Sequence, residues 1–135
     1  MSLPPKVRID VGRTQYHTMI PSAEAYVEFV TTPSFEASAR KLLTEEDRRQ
    51  LELLLLANPR RGQVIERTGG FRKVRFARPS RKEGKSGGTR VIYYFIQRND
   101  RIYLIEVYAK RAKDDLTRAV ENGLRDVARV LEGES

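Results

Sequence analysis

The sequence of residues 69–95 reads GGFRKVRFARPSRKEGKSGGTRVIYYF, and the fold prediction starts from these residues. Its two ends, residues 71–77 and 89–95, alternate apolar with basic or polar side chains at the two-residue period of a β-strand. Residues 77–88 between them are rich in Arg, Lys, Gly and Ser and predict a mobile loop. The stretch therefore predicts an antiparallel hairpin with cations on one face and apolar side chains on the other.

The excess positive charge of the chain lies in and around this hairpin. The 135 residues carry a net charge of +8, and residues 67–113 contain 14 Lys or Arg against 3 Asp or Glu. Residues 1–66 are balanced, and residues 114–135 are slightly acidic. A basic patch this local favours a polyanionic partner, with nucleic acid ahead of an anionic membrane surface. Alternatively, the basic patch is a solvent-exposed surface that binds no ligand.

Several kinds of chemistry are disfavoured by composition. The chain has no cysteine, which excludes disulfides and thiolate chemistry and favours the cytoplasm. Its single histidine, His17, cannot build a His-based metal site or a Ser-His-Asp triad by itself. No apolar run reaches the roughly 18 residues of a membrane span, and no secretory signal opens the chain. We expect a cytoplasmic protein with no metal, no cofactor and no membrane partner.

The order of the remaining elements predicts an α+β fold. Residues 1–25 lack a sustained pattern and predict a tail that is poorly ordered or ordered by a partner, whereas residues 26–135 form one domain. A strand at residues 26–31 precedes two helices, whose capping residues are Thr32 and Thr44. A strand at residues 101–108 and a last helix follow the hairpin. We expect a twisted, mainly antiparallel sheet with the two N-terminal helices and the C-terminal helix on one face, and the basic face open.

Alternation along the strands divides the sheet into an apolar and a polar face. The apolar set is Val74, Phe76, Val91, Tyr93, Phe95, Tyr103, Ile105 and Val107. The opposite set is Lys73, Arg75, Arg90, Tyr94, Glu106, Tyr108 and Lys110. Because RNA carries its own nucleophile, the 2′-hydroxyl, such a set could bind a phosphodiester or also cleave it. Arginine suits the phosphate and lysine is a candidate base, while tyrosine can stack on bases.

Three segments of the chain resemble a known family. They are GGFRKVRFA at residues 69–77, GGTRVIYYF at residues 87–95 and IEVYAKRAKDDL at residues 105–116. Together with the element order, they make the chain similar to the RelE/HigB toxins of the RelE/ParE superfamily, and HigB-like within it. The resemblance covers about residues 26–131 and implies a RelE-like fold. It also implies a type II toxin-antitoxin system, whose toxin is a ribosome-dependent mRNA endoribonuclease (an mRNA interferase) that inhibits translation by metal-independent 2′-hydroxyl attack.

The resemblance also implies partners and residue roles. The partners would be the ribosome, mRNA and a cognate antitoxin, often a helix-turn-helix protein. The residues with a catalytic role would be Lys73, Arg75, Arg90, Tyr108 and Lys110. Those that bind RNA or the ribosome would be Arg72, Arg78, Arg81, Lys82, Lys85, Tyr94 and Arg111. The C-terminal tyrosine that some members use for acid-base work has no match here, so Lys73, Tyr94 or Tyr108 would have to share its task.

Two other functions remain compatible with the sequence. One is a toxin of the ParE kind, which inhibits gyrase and needs no nuclease residues. The other is an RNA-binding domain without catalytic activity. The dense cations at Lys73, Arg75 and Arg90 favour the nuclease over the gyrase inhibitor.

Overall fold

The structure, a computed structural model, describes residues 12–17, 26–82, 88–110 and 118–134. Their helices and strands, in chain order, are β1 (Gly12–His17), β2 (Tyr26–Thr31), α1 (Pro33–Leu42), α2 (Glu45–Ala57), β3 (Gln63–Val64), β4 (Arg72–Phe76), β5 (Thr89–Ile96), β6 (Arg101–Ala109) and α3 (Arg118–Glu134). Short 3₁₀ turns lie at Pro79–Arg81 and Gln97–Asn99. The strands form one sheet in the order β1-β2-β6-β5-β4-β3, in which the β2–β6 pair is parallel and the other pairs are antiparallel. The predicted α+β class with a mainly antiparallel sheet is confirmed.

Both N-terminal helices begin where their capping residues predict. The Thr32 hydroxyl accepts a hydrogen bond from the backbone N–H of Phe35 at 2.9 Å, and Pro33 follows at the first helical position. Thr44 and Asp47 form a reciprocal capping box at the start of α2. These starts were predictable because a cap depends on residues within one turn of the chain.

The helices cover both faces of the sheet, so the expectation of three helices on one face is wrong. Phe35 of α1 and Leu51 and Leu55 of α2 pack against one face. Leu124 and Leu131 of α3 pack against the other, together with Val127 and Ala128. The central strands β5 and β6 carry apolar side chains on both faces of the sheet, and each apolar face has to be buried under helices. The cations therefore occupy only the part of their face that α3 leaves uncovered.

A β-bulge in β6 accounts for a second difference from the expected faces. Ile92 pairs with Glu106 and Tyr93 with Leu104, so Ile105 is an extra residue in β6. The bulge shifts the alternation: Tyr103 and Ile105 face α3. Glu106 turns toward α1, where its carboxylate accepts hydrogen bonds from the hydroxyls of Ser34 and Ser38 at 2.8 and 3.2 Å. Glu106 is thus separated from the basic residues with which alternation had grouped it.

Two segments predicted to be loosely attached are joined to the domain. Gly12–His17, which we assigned to the tail, pairs with β2 as the edge strand β1. The first half of the expected mobile loop is held by the buried Asp47, whose carboxylate accepts hydrogen bonds from the Ser80 backbone at 3.0 Å and hydroxyl at 2.5 Å. Residues 83–87 of that loop lie outside the described residues. The boundary of the domain at residue 26 stays a prediction.

Glycine at position 70 is required by its backbone and by its neighbours. Gly70 has φ +120°, and a Cβ there would lie 3.2 Å from the Tyr94 ring beneath α3. We expect Gly70→Ala to lower the free energy of unfolding by roughly 1–3 kcal/mol, because an alanine cannot relax in this region of φ. Urea unfolding measures the effect. Gly133→Ala is the control, since a Cβ at that position would have no neighbour within 4 Å; equal losses in both variants would contradict the assignment.

Candidate active site

A basic cleft lies on the part of the sheet that α3 leaves uncovered. Its volume is about 540 Å³, and it is lined by Arg61, Gly62, Gln63, Lys73, Val74, Arg75, Arg90 and Lys110. Five of these residues are cationic and none is acidic. The residues come from the loop before β3 and from β3, β4 and β5, with Lys110 directly after β6. We call this site the basic cleft.

The closest pair of cations by register is Arg75 and Arg90, which lie directly opposite each other on β4 and β5. Arg75 is exposed, whereas Arg90 is only 3% exposed and donates a hydrogen bond from Nη1 to the Thr89 carbonyl oxygen at 3.3 Å. Like charges at directly opposite positions destabilise a sheet. An anion between the two guanidinium groups would offset that repulsion, because each can donate two hydrogen bonds to phosphate oxygens.

Two lysines complete the cationic part of the cleft. Lys73 is two residues before Arg75 on β4 and therefore shares its face, with Gln63 of β3 opposite it. Lys110 follows β6, where its backbone N–H donates to the Gly88 carbonyl oxygen at 2.8 Å. This bond ties the end of β6 to the start of β5 and places Lys110 beside Arg90. Four of the five residues predicted to be catalytic are thus brought together.

The fifth, Tyr108, lies beside the cleft but does not line it. Tyr108 is opposite Arg90 in the β5–β6 register, and its side chain is buried in the core that packs against α3. It belongs to the row Arg75, Arg90 and Tyr108 that crosses three strands. A ligand in the cleft would contact Arg90, which lines the cleft, and not the Tyr108 hydroxyl.

Tyr94 is part of the hydrophobic core, which does not fit the predicted stacking on RNA bases. Its ring is 5% exposed, lies 4.8 Å from the ring of Phe71, and is covered by α3. Its hydroxyl donates a hydrogen bond to Glu132 Oε2 at 2.7 Å. Burial and the Glu132 carboxylate raise the pKa of the Tyr94 phenol well above its ordinary value. Alternation assigned Tyr94 to the correct face, but it could not indicate that a helix covers this part of it.

Two of the arginines expected to bind RNA form hydrogen bonds with backbone carbonyl oxygens of the fold. Arg78 is buried, and its guanidinium donates to the Leu42 carbonyl oxygen at 2.9 Å. Arg72 faces away from the cleft and donates to the carbonyl oxygens of Arg60 and Gly62 at 3.2 and 2.7 Å. These contacts favour a structural role for both, because each guanidinium donates from Nη1 to a backbone carbonyl oxygen of the fold.

The other predicted RNA-binding residues are exposed or outside the described residues. Arg81 and Lys82 are exposed at the 3₁₀ turn Pro79–Arg81, next to the anchored Ser80. Lys85 and Arg111 fall within residues 83–87 and 111–117, which the structure does not describe. RNA or ribosome binding by these four residues stays a prediction.

Arg61 and Gln63 line the cleft although we did not predict them. They lie between α2 and the hairpin, in a segment that has too few residues to show a period. The Arg60-Arg61-Gly62 sequence was the available signal: two cations precede a glycine that allows a close approach of the backbone. Their position beside Lys73 depends on the pairing of β3 with β4, which is not local in sequence.

No group of three or more His, Cys, Asp or Glu residues that could hold a metal ion occurs within residues 12–17, 26–82, 88–110 and 118–134. No helix in the same part of the chain is long and apolar enough to cross a membrane. The absence of a metal or cofactor from the function stays a prediction.

No protein-family model matches the sequence. Among solved structures, the chain is similar to the E. coli toxin RelE, in a free form with two arginines replaced by alanine. The sequence identity is 21% and the TM-score is 0.44, and the match covers 64% of this chain and 85% of the RelE chain. A likeness this distant assigns neither a family nor a function, so the function has to be argued from the cleft.

Proposed function

We propose that the protein is the toxin of a type II toxin-antitoxin system and cleaves mRNA on the ribosome as a HigB-like endoribonuclease. The observation that supports this function is the pairing of Arg75 with Arg90 in a cleft whose described lining residues include five cations and no carboxylate. The sequence resemblance supports the same residues independently of the cleft. Such a toxin would act in the cytoplasm and would be neutralised by an antitoxin, often a helix-turn-helix protein.

The reaction would use the 2′-hydroxyl of the RNA as the nucleophile. The 2′-oxygen attacks the neighbouring phosphorus, the bond from phosphorus to the 5′-oxygen breaks, and the products are a 2′,3′-cyclic phosphate and a 5′-hydroxyl. Arg75 and Arg90 would bind the non-bridging oxygens and stabilise the charge that grows on them in the transition state. The 2′-hydroxyl must lose a proton and the 5′-oxygen must gain one, and Lys73 and Lys110 are the cleft residues suited to these transfers.

One observation favours RNA binding without cleavage as a second candidate. Tyr94 is buried under α3, and Tyr108 does not line the cleft. Among the described lining residues, the groups that remain for proton transfer are then Lys73 and Lys110. A protein that only binds RNA would need the cations and no proton transfer at all.

Mapping RNA ends in living cells tests the proposed function. The wild-type chain and the Arg75→Ala/Arg90→Ala double variant are induced in bacteria, and new mRNA 5′ ends are mapped. We expect growth arrest with new 5′-hydroxyl ends inside translated messages for the wild type, and neither effect for the double variant. The control is Arg40→Ala/Arg49→Ala, which removes two exposed arginines of α1 and α2 outside the cleft.

Three outcomes would contradict the proposal or part of it. Growth arrest without new ends in translated messages would contradict the nuclease, and DNA breaks that depend on gyrase would then support the ParE-like inhibitor. Wild-type binding of RNA without cleavage would support the second candidate. Cleavage that survives the double substitution would show that Arg75 and Arg90 are the wrong residues.

A further inference from the structure

The loop before β3 is held rigidly against the sheet by hydrogen bonds from two strand residues. The Tyr93 hydroxyl donates to the Pro59 carbonyl oxygen at 2.8 Å and accepts from the Gly62 N–H at 2.9 Å. On the same face, the Arg72 guanidinium donates to the Arg60 and Gly62 carbonyl oxygens. The loop therefore has a fixed position relative to β4 and β5, unlike a loop held only at its ends.

Glycine at position 62 allows this loop to lie directly on β4. A Cβ on Gly62 would lie 2.9 Å from the Lys73 carbonyl oxygen, closer than real Cβ atoms approach, and 3.0 Å from the Tyr93 ring. Any other residue would push the loop away from Lys73. The close approach brings the neighbours of Gly62, Arg61 and Gln63, into the wall of the basic cleft.

The two adjacent arginines of the loop have different surroundings. Arg60 lies over the Phe95 ring at 5.3 Å, and its guanidinium donates to the Gln97 side chain oxygen at 2.5 Å. Arg61 is exposed in the cleft wall and forms no ion pair with a carboxylate in the described part of the chain. Arg60 thus holds the loop against β5 and the turn after it, while the Arg61 guanidinium is available to a ligand in the cleft.

The cleft is larger than the site of one phosphate. Neighbouring strands lie about 4.8 Å apart, and β4 lies between β3 and β5. The distance from β3 to β5, which carries Arg90, is therefore roughly 10 Å. A volume of about 540 Å³ falls in the range of sites that hold a whole organic ligand. A phosphate held between Arg75 and Arg90 would therefore leave the Arg61 end of the cleft for the next part of the same strand.

We propose that Arg61 binds the phosphate next to the scissile one. Residues 58–63, which are the loop and the first residue of β3, would form the wall of the cleft along which the RNA strand lies. Tyr93 and Arg72 are positioning residues for this wall. This inference rests on the proposed function, because it takes the phosphate at Arg75 and Arg90 to be the scissile one. Arg61 would contribute to substrate binding and not to the chemical step.

Binding of an RNA that cannot be cleaved tests Arg61 separately from catalysis. The probe is a fluorescent single-stranded RNA hexamer of mixed sequence with a 2′-O-methyl group at every position, and its anisotropy is measured with the full chain over a range of salt concentrations. We expect Arg61→Ala to weaken binding about tenfold and to reduce the salt slope by about 0.7, as the loss of one phosphate contact requires. Arg61→Lys should retain the slope, and the control Arg49→Ala should match the wild type.

Two further variants separate the failure of this inference from the failure of the proposed function. Arg75→Ala should also weaken binding, and Tyr93→Phe, which loses both loop bonds and keeps the ring, should weaken it less than Arg61→Ala. If Arg75→Ala weakens binding and Arg61→Ala does not, the inference about Arg61 is wrong and the proposed function stands. If neither substitution changes binding, or the wild type binds no RNA, the inference about Arg61 is wrong, and the mapping of mRNA ends in cells decides the proposed function separately. Thermal unfolding checks that Arg61→Ala remains folded.

Discussion

Arg75→Ala is expected to reduce the rate of RNA cleavage at least a hundredfold while leaving the protein as stable as the wild type, or more so. Under the proposed function, the substitution removes one of two guanidinium groups that stabilise the transition-state charge, and losses of this kind are about 10² to 10³ in rate. Stability should not fall, because Arg75 is exposed and lies directly opposite Arg90. Removing one of two facing like charges should raise the free energy of unfolding by as much as about 1 kcal/mol.

The measurement combines cleavage of a message on purified ribosomes with urea unfolding of the same preparations. Arg75→Lys keeps the charge but loses the planar fork, so we expect a rate between those of the wild type and Arg75→Ala. Arg49→Ala, an exposed arginine of α2 outside the cleft, should change neither quantity by more than a small amount. A loss of activity that follows a loss of stability would show that Arg75 supports the fold and not the reaction.

Asp47→Ala is expected to lower the free energy of unfolding by about 2–3 kcal/mol, a large loss for the change of one charged residue. The Asp47 carboxylate is buried and accepts hydrogen bonds from the Thr44 N–H at 3.0 Å and from the N–H and hydroxyl of Ser80. The substitution removes the capping box of α2 and the anchor of the loop after β4 together. Urea unfolding measures the loss, and the exposed Glu46→Ala is the matched control in the same helical turn.

The same carboxylate predicts a dependence of stability on pH. Burial favours the neutral form, but the hydrogen bonds from Ser80 and Thr44 outweigh it and hold the pKa of Asp47 below its ordinary value of 3.8. A group with a depressed pKa in the folded state stabilises the fold above its unfolded pKa, and this contribution is lost as the pH falls through the folded pKa. The difference in unfolding free energy between the wild type and Asp47→Ala should therefore be constant near neutral pH and shrink below about pH 4. A difference that stays constant down to about pH 2 would contradict this assignment.

The elements that depend on residues close together in the chain could be predicted from the sequence alone. The caps at Thr32 and Thr44, the alternation along β4 and β5, and the concentration of charge around the hairpin are all local, and the structure bears out the caps and strands. Alternation also sufficed to place Lys73, Arg75 and Arg90 on one face, since strand geometry fixes the direction of successive side chains. Lys110 joined them because it follows the last strand of the same sheet.

Which part of that face remains open depends on tertiary packing and could not be predicted from the sequence. The position of α3 buries Tyr94, the bulge at Ile105 turns Glu106 toward α1, and the pairing of β3 with β4 brings Arg61 into the cleft. Each of these depends on contacts between residues far apart in the chain, which leave no periodic signal in the sequence. A strand pattern specifies two faces, but the packing of helices against them determines which residues can reach a ligand.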